Sequence, residues 1–494
     1  MTRMMPAAPR FRSVIALAVL LTLVLVESIA LVDQILFPNY ELMLGSVFLQ
    51  LSKGLFWALA PLSAGLLLML IFVSPIRYLF DLGSRRSGLF SRFHRWISTP
   101  LAPVMRKLTE QLTERRISLT LQASLLTGAV LSGIAIGLTP YRPDLNPQGA
   151  LVGVDTSTYS NLVGNMLVKN VTDAVRYSFV DPTFKGSRPL ALLFLYGLAT
   201  ISGFGADGAL RLAPAFLASL LACTSFTFVR YGLGDRRAAA LAALLSVCSY
   251  QVSVGIWAGY YANWLALAES YLLLTSVLLF AKARTRGLFA SMLSASVAIL
   301  FTHPWTWTIM VALVAVLALD SYLRKTGMIP WVPIAVLLAA NLILDLARIF
   351  FIGSYGGEQA GYDVAKSVSP LDIFQAWPNA LGVFSYYDGY LANALYIALA
   401  FVAIVAVYRA KDEFSRTLII WTALPALPFM FFNSLLQTRL VYVTPIPVLA
   451  VIGLLRVTQN LTRKAQVLLF VTFVVLFGAN AAIMSMIQLV SISG

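Results

Sequence analysis

Acids and cations gather in one long polar stretch of this chain, Tyr141 to Arg188, which carries Asp144, Asp155, Asp173, Asp181, Lys169, Arg176, Lys185 and Arg188 between two apolar segments. Its central run, Val152-Gly153-Val154-Asp155-Thr156-Ser157-Thr158-Tyr159, sets a carboxylate after a glycine-containing turn and before a hydroxyl-rich helix start. Tyr159, Leu162, Val163, Met166 and Leu167 then recur at helical spacing, so an amphipathic helix resting on the membrane surface begins there with Asp155 at its N-terminus. A carboxylate at that place can take a proton from a reacting hydroxyl, or it can cap the helix, which is ordinary work for Asp. Position alone leaves both open.

The elements around this stretch are set by hydropathy. Of 494 residues 59% are hydrophobic and 12% charged, with a mean hydropathy of +0.82, about half the charge of an ordinary soluble domain. The chain is therefore expected to be an all-α, polytopic integral membrane protein. Its formal charge of +15 comes from basic residues clustered between apolar runs, so membrane topology accounts for it and no nucleic-acid partner is implied. Cys223 and Cys248 both sit in apolar runs, so neither a disulfide framework nor a cysteine metal site is implied.

A spanning helix needs about 20 apolar residues. On that rule an N-terminal hairpin occupies 1–74, with Glu27 or Asp33 on one helix able to pair with Lys53 on the other. A basic linker, 75–117, interleaves Arg85, Arg86, Arg92 and Arg95 with Phe80, Phe90, Phe93 and Trp96, as an amphipathic segment on anionic lipid would. The core then runs from 118 to 487, with outer loops at 140–188 and 353–388. Parity requires one of the segments 189–202 and 208–229 not to cross, and the first, bounded by Pro189 and Gly203, is expected to be a partial helix. Further spans are expected at 238–254, 262–281, 287–302, 305–322, 328–352, 389–409, 417–433, 440–455 and 465–487. The total is about 13 crossings, in the plasma membrane, N-terminus inside, C-terminus and polar loop outside.

Polar residues at membrane depth mark a substrate path or an interhelical bond, and Asn263 and Glu269, about 9 Å apart along one helix, are such residues. His303, one of 2 histidines, stands where a helix reaches the outer face and could bind ligand, cap a helix or bond a carbonyl. Arg348 has Asp345 three residues earlier as a possible intrahelical partner, and Arg188 could serve as an interface anchor. The loop 353–388 joins Glu358, Asp363, Asp372 and Asp388 with Tyr355, Tyr362, Trp377 and Tyr386, a mixture suited to covering a carbohydrate, and its Ser369-Pro370-Leu371 run reads as a helix start.

Together the Gly-x-Asp-x-x-x-Tyr setting of Gly153, Asp155 and Tyr159, the Arg188-Pro189-Leu190 entry, the Gly205 to Arg211-Leu212 segment and the closing Arg439-Leu440-Val441-Tyr442-Val443-Thr444-Pro445-Ile446-Pro447 run resemble the GT-C superfamily of membrane glycosyltransferases, nearest in pattern to the protein mannosyltransferase and aminoarabinose transferase group. The match extends from Ile117 to about Leu455. The resemblance implies a GT-C-like core that moves a sugar from a polyprenyl-phosphate or diphosphate donor to a lipid, glycan or protein acceptor at the outer face. It makes Asp155 the base. It also makes Arg188, Arg439 and Arg348 the contacts to donor phosphate, which an arginine fork fits. Tyr159, Asn263, Glu269, His303 and Tyr442 would line the pocket. Thr156 stands where many relatives have a second acid, and the Gly255 to Asn263 turn lacks the Asp-x-Asp that holds a divalent metal in the oligosaccharyltransferase branch. No cofactor, and no metal, is therefore expected. A transporter or flippase of lipid-linked saccharides would explain the intramembrane charges instead, and a non-catalytic subunit would explain the missing acid.

Overall fold

A computed structural model describes residues 75, 119–180, 188–324, 329–352, 394–407, 412–429, 434–459 and 461–485. The N-terminal hairpin with Glu27, Asp33 and Lys53, nearly all of the basic linker, and the loop 353–388 with its Ser369 helix start lie outside them.

The described chain is all-helical, and the helices follow the apolar runs. They are α1 (Leu119–Leu138), α2 (Thr156–Leu167), α3 (Val171–Val180), α4 (Pro189–Ser202), α5 (Gly205–Leu233), α6 (Arg236–Val247), α7 (Tyr250–Trp257), α8 (Tyr261–Ala283), α9 (Arg286–Thr302) and α10 (Pro304–Leu323). After these come α11 (Trp331–Ile352), α12 (Ala394–Val407), α13 (Glu413–Phe429), α14 (Ser434–Val443), α15 (Ile446–Thr458) and α16 (Arg463–Ser485). Among the described residues 6 helical stretches are long and apolar enough to cross a membrane, and several shorter apolar helices pack beside them. The most exposed of those spans are at α1 and α11. On α11, Val336, Leu342, Ile343 and Phe350 face outward, as side chains in contact with lipid do.

Lipid tails give no hydrophobic drive between helices, so close backbone packing must hold the bundle together. Small residues allow it: a Cβ on Gly137 of α1 would fall 2.6 Å from the Ala215 nitrogen of α5, and one on Gly453 of α15 would strike the Leu399 carbonyl of α12. Deeper in, Phe228 of α5 meets Tyr271 of α8 at 5.5 Å and Phe414 of α13 at 5.0 Å between ring centroids, while Tyr271 meets Trp421 at 5.1 Å. Asp320, 2% exposed near the end of α10, takes Arg324 at 2.5 Å and Arg416 at 3.9 Å, tying α10 to α13.

The segment after the polar loop is short. α4 has 14 residues, about 21 Å of helix, and ends at Gly203 in the left-handed conformation, φ 70°. Two expected single spans are divided. The run 238–254 breaks between α6 and α7, because Tyr396 of α12 donates to the carbonyls of Leu245 and Cys248 while the Ser249 side chain caps the amide of Gln251. The run 440–455 breaks at Thr444-Pro445, and residues 434–439, between the spans expected at 417–433 and 440–455, are helical and form the start of α14. Neither Pro445 nor Pro447 has an N–H to continue the helix.

Candidate functional site

Asp155 is positioned by its backbone. The loop that reaches it is gathered by Asn146, whose side chain donates to the carbonyls of Pro140 (3.1 Å) and Ala150 (2.8 Å) and accepts from the Ala150 amide (2.9 Å). Arg211 of α5 donates to the Gly149 carbonyl at 2.5 Å. The Val152 carbonyl then receives the hydroxyls of Tyr141 (3.3 Å) and Thr156 (2.8 Å). Since Thr156 spends its only proton there, Tyr261 donates to Thr156 across their 3.0 Å contact. Finally the amides of Val154 and Asp155 donate to the carbonyls of Trp257 (3.0 Å) and Ala258 (3.2 Å).

Two glycines make this approach possible. Gly153 (φ 122°) and Gly259 (φ 68°) are in the region that side chains avoid. A Cβ on Gly153 would collide with Thr156 and lie 2.8 Å from the Ile256 carbonyl, and one on Gly259 would lie 3.0 Å from the Asp155 nitrogen. Asp155 is half-buried at the N-cap position of α2, but its backbone is already near-helical (φ −86°, ψ −5°) and its carboxylate makes no capping hydrogen bond. Thr156, expected to help cap, is turned instead to Val152 and Tyr261.

Arg188 joins this group. It is 6% exposed at the N-cap of α4, with Pro189 starting the helix, and its Nη1 donates to the Tyr159 hydroxyl at 3.4 Å. Tyr159 is fully buried, edge-on to Tyr261 at 5.5 Å, and its amide bonds the Asp155 carbonyl at 3.2 Å. Tyr159 therefore stands one helical turn, about 6 Å along the backbone, from Asp155, and its hydroxyl receives the Arg188 guanidinium. On the loop surface Arg142 forks onto Asp144 at 2.5 and 3.0 Å, and that hydrogen-bonded partner holds the Asp144 carboxyl below its usual range.

A second group lies across the first turn of α8. Asn263, His303, Thr306 and Arg439, with apolar walls that include Trp305 and Leu440, surround a cavity of about 20 Å³, room for a water-sized group. His303 caps α10: its Nδ1 accepts the Thr306 amide at 3.3 Å and lies 2.8 Å from the Thr306 hydroxyl. Asn263 is 3% exposed and its Nδ2 has no hydrogen-bond partner among the described residues. With the Arg439 guanidinium, the polar lining is therefore rich in N–H donors. Neither Asp155 nor Arg188 lines this cavity. The link between the two groups is α8 itself, whose Tyr261 meets Tyr159 and Thr156 while Asn263, two residues on, lines the cavity.

Three expected residues have other surroundings. Arg348 is forked onto Asp345 at 3.0 and 2.8 Å within α11. Glu269 accepts from Thr302 at 3.0 Å, its second oxygen buried with no partner among the described residues. Tyr442 is fully buried and donates to the Gln251 carbonyl at 2.6 Å. Asn146, Arg211 and Tyr261 were not singled out as site residues from sequence. The one available signal was Arg211, a cation two turns into an apolar helix. Among the described residues no group of three His, Cys, Asp or Glu gathers as metal ligands would.

No family model matches the sequence, and no curated protein matches it. Among solved structures the chain is similar to the crystal structure of ArnT from Cupriavidus metallidurans bound to undecaprenyl phosphate. The two are 16% identical with a TM-score of 0.45; the match covers 71% of this chain and 63% of that one, less than two thirds of its length.

Proposed function

We propose that the protein is an integral membrane glycosyltransferase that uses a polyprenyl-phosphate-linked sugar and works at the outer face. The observation that carries this reading is the corner in which Asp155, fixed by its own amide, stands one turn from Tyr159 and its Arg188 partner. In the reaction the acceptor hydroxyl attacks the anomeric carbon, Asp155 takes the hydroxyl proton, and the bond from that carbon to the phosphate oxygen breaks. The electron pair leaves on the polyprenyl phosphate. Proton transfer to a held base of this kind contributes about 10²- to 10⁴-fold.

Arg188 meets the growing phosphate charge, and Arg439, His303 and the Asn263 amide supply further donors. The donor's tail lies among the helices, so no nucleotide-binding loop is needed. No divalent metal takes part.

The test uses the full chain in nanodiscs with a panel of labelled polyprenyl-phosphate sugars and detergent-extracted envelope lipids as acceptors. Sugar transfer matched one for one by released polyprenyl phosphate is expected. Movement of intact donor across sealed vesicles with no release would overturn the reading in favour of transport.

A further inference from the structure

The two halves of the proposed site are far apart in sequence, and one short helix touches the supports of both. At its C-terminal end, the carbonyls of Trp257 and Ala258 receive the amides of Val154 and Asp155 at 3.0 and 3.2 Å. At its N-terminal end, Tyr250 donates to the Val441 carbonyl at 2.6 Å, and Gln251 Nε2 donates to those of Tyr442 (2.8 Å) and Thr444 (3.2 Å). Tyr442 returns a bond from its hydroxyl to the Gln251 carbonyl at 2.6 Å.

This stitching follows from the broken end of α14. A helix end leaves carbonyls without i+4 partners: Pro445 has no N–H for Val441, which accepts the Thr444 amide at 3.1 Å instead, and the Ile446 amide turns to Thr444 at 2.8 Å and away from Tyr442. Tyr250 and Gln251 meet those carbonyls in an environment without water: Tyr250, Gln251 and Tyr442 are all 0% exposed. The same stretch of α14 supplies Arg439, Leu440 and Val443 to the cavity wall. Between the two ends α7 is 8 residues long, about 12 Å, and every residue from Tyr250 to Ile256 is buried.

We propose that α7 is a fixed-length spacer that sets Asp155 against the Arg439 cavity, with Gln251 as the positioning residue. The role assigned to each end rests on the glycosyltransferase reading. The mechanical coupling does not. Gln251 touches neither reactant, so its effect must pass through α7 to the Asp155 amide at one end and through Tyr442 to Arg439 at the other.

Gln251→Met keeps the length of the side chain and removes its donor, taking from the Tyr442 carbonyl the bond at 2.8 Å while Thr444 keeps the Ile446 amide. In the full chain in nanodiscs, hydrogen exchange of the Val152 to Thr156 amides is expected to speed up severalfold. Trp421→Phe, in the aromatic cluster with Phe228 and Tyr271, is the control for destabilisation alone and is expected to leave those amides unchanged. Unchanged exchange in Gln251→Met, or an equal rise in both variants, overturns the spacer whether or not the protein transfers sugar. With a donor that the wild type turns over, Gln251→Met should lower kcat about 10- to 100-fold, because a shift of an ångström costs that much, while donor KM stays within about twofold. A wild type that turns over no donor counts against the proposed function and leaves the exchange result to decide the spacer. Where donor is turned over, a fall confined to KM counts against the spacer alone.

Discussion

The arginines near Asp320 and those of the candidate site are used in different ways. Around Asp320 the guanidinium groups of Arg324 and Arg416 are directed at one buried carboxylate, so charge meets charge inside the protein. In the candidate site Arg188 donates to the hydroxyl of Tyr159, and in the second group Arg439 lines a cavity with Asn263 and His303. Under the proposed function the second pair meets the donor phosphate, whereas a guanidinium bound to a buried acid serves the fold. Arg348, bound to Asp345, belongs with the first kind.

That contrast can be broken by substitution. Arg188→Ala with Arg439→Ala should have the largest effect. Each removes a charge-assisted contact of about 1.5–3 kcal/mol, so each alone should lower kcat/KM for the donor about 10- to 100-fold and the pair should lower it by more than either. If the pair transfers at the wild-type rate, these cations do not hold phosphate. Asp320→Asn should instead cost about 3 kcal/mol of stability, because it leaves buried guanidinium charge without its acid, read as an earlier melting transition with kcat unchanged in the surviving protein. A lost kcat at full stability would place Asp320 in the chemistry and erase the contrast. Arg348→Gln should change donor KM by less than about threefold, since its fork is already taken. Chelation with EDTA should change nothing, and a rate restored by added divalent cation would contradict the metal-free reading.

Much of the architecture could be read from the chain because lipid imposes a simple rule: apolar runs become helices and polar stretches become loops. The short α4 was legible from Pro189 and Gly203 together with parity, and the Arg348–Asp345 pair from its i, i+3 spacing. The break at Cys248-Ser249 was not. Nothing local marks it, since the carbonyls freed there are taken by Tyr396, which lies 148 to 151 residues away. Pro445 and Pro447 are visible, yet hydropathy gives one span over 440–455 around them, because it does not distinguish one apolar helix from two.

At the site the same division holds. Asp155 stood out as an acid after a glycine turn, but Gly259 opposite it acquires its meaning only where the two loops touch. Tyr159 could be read as a helix position and not as the hydroxyl that receives Arg188. Asn263, His303 and Arg439 were each notable alone; their convergence is a property of the bundle. The employment of Tyr442 as a brace to Gln251 follows from the broken end of α14, where the Ile446 amide bonds Thr444 and leaves the Tyr442 carbonyl to a distant partner.

The most direct test is single-turnover sugar transfer by Asp155→Asn, with farnesyl phosphate binding measured on the same preparation. The amide nearly preserves shape and cannot take the proton. The account predicts phosphate binding at wild-type affinity with transfer slowed at least about 10²-fold. Transfer at the wild-type rate with binding intact would contradict it and leave Asp155 a structural residue at the start of α2.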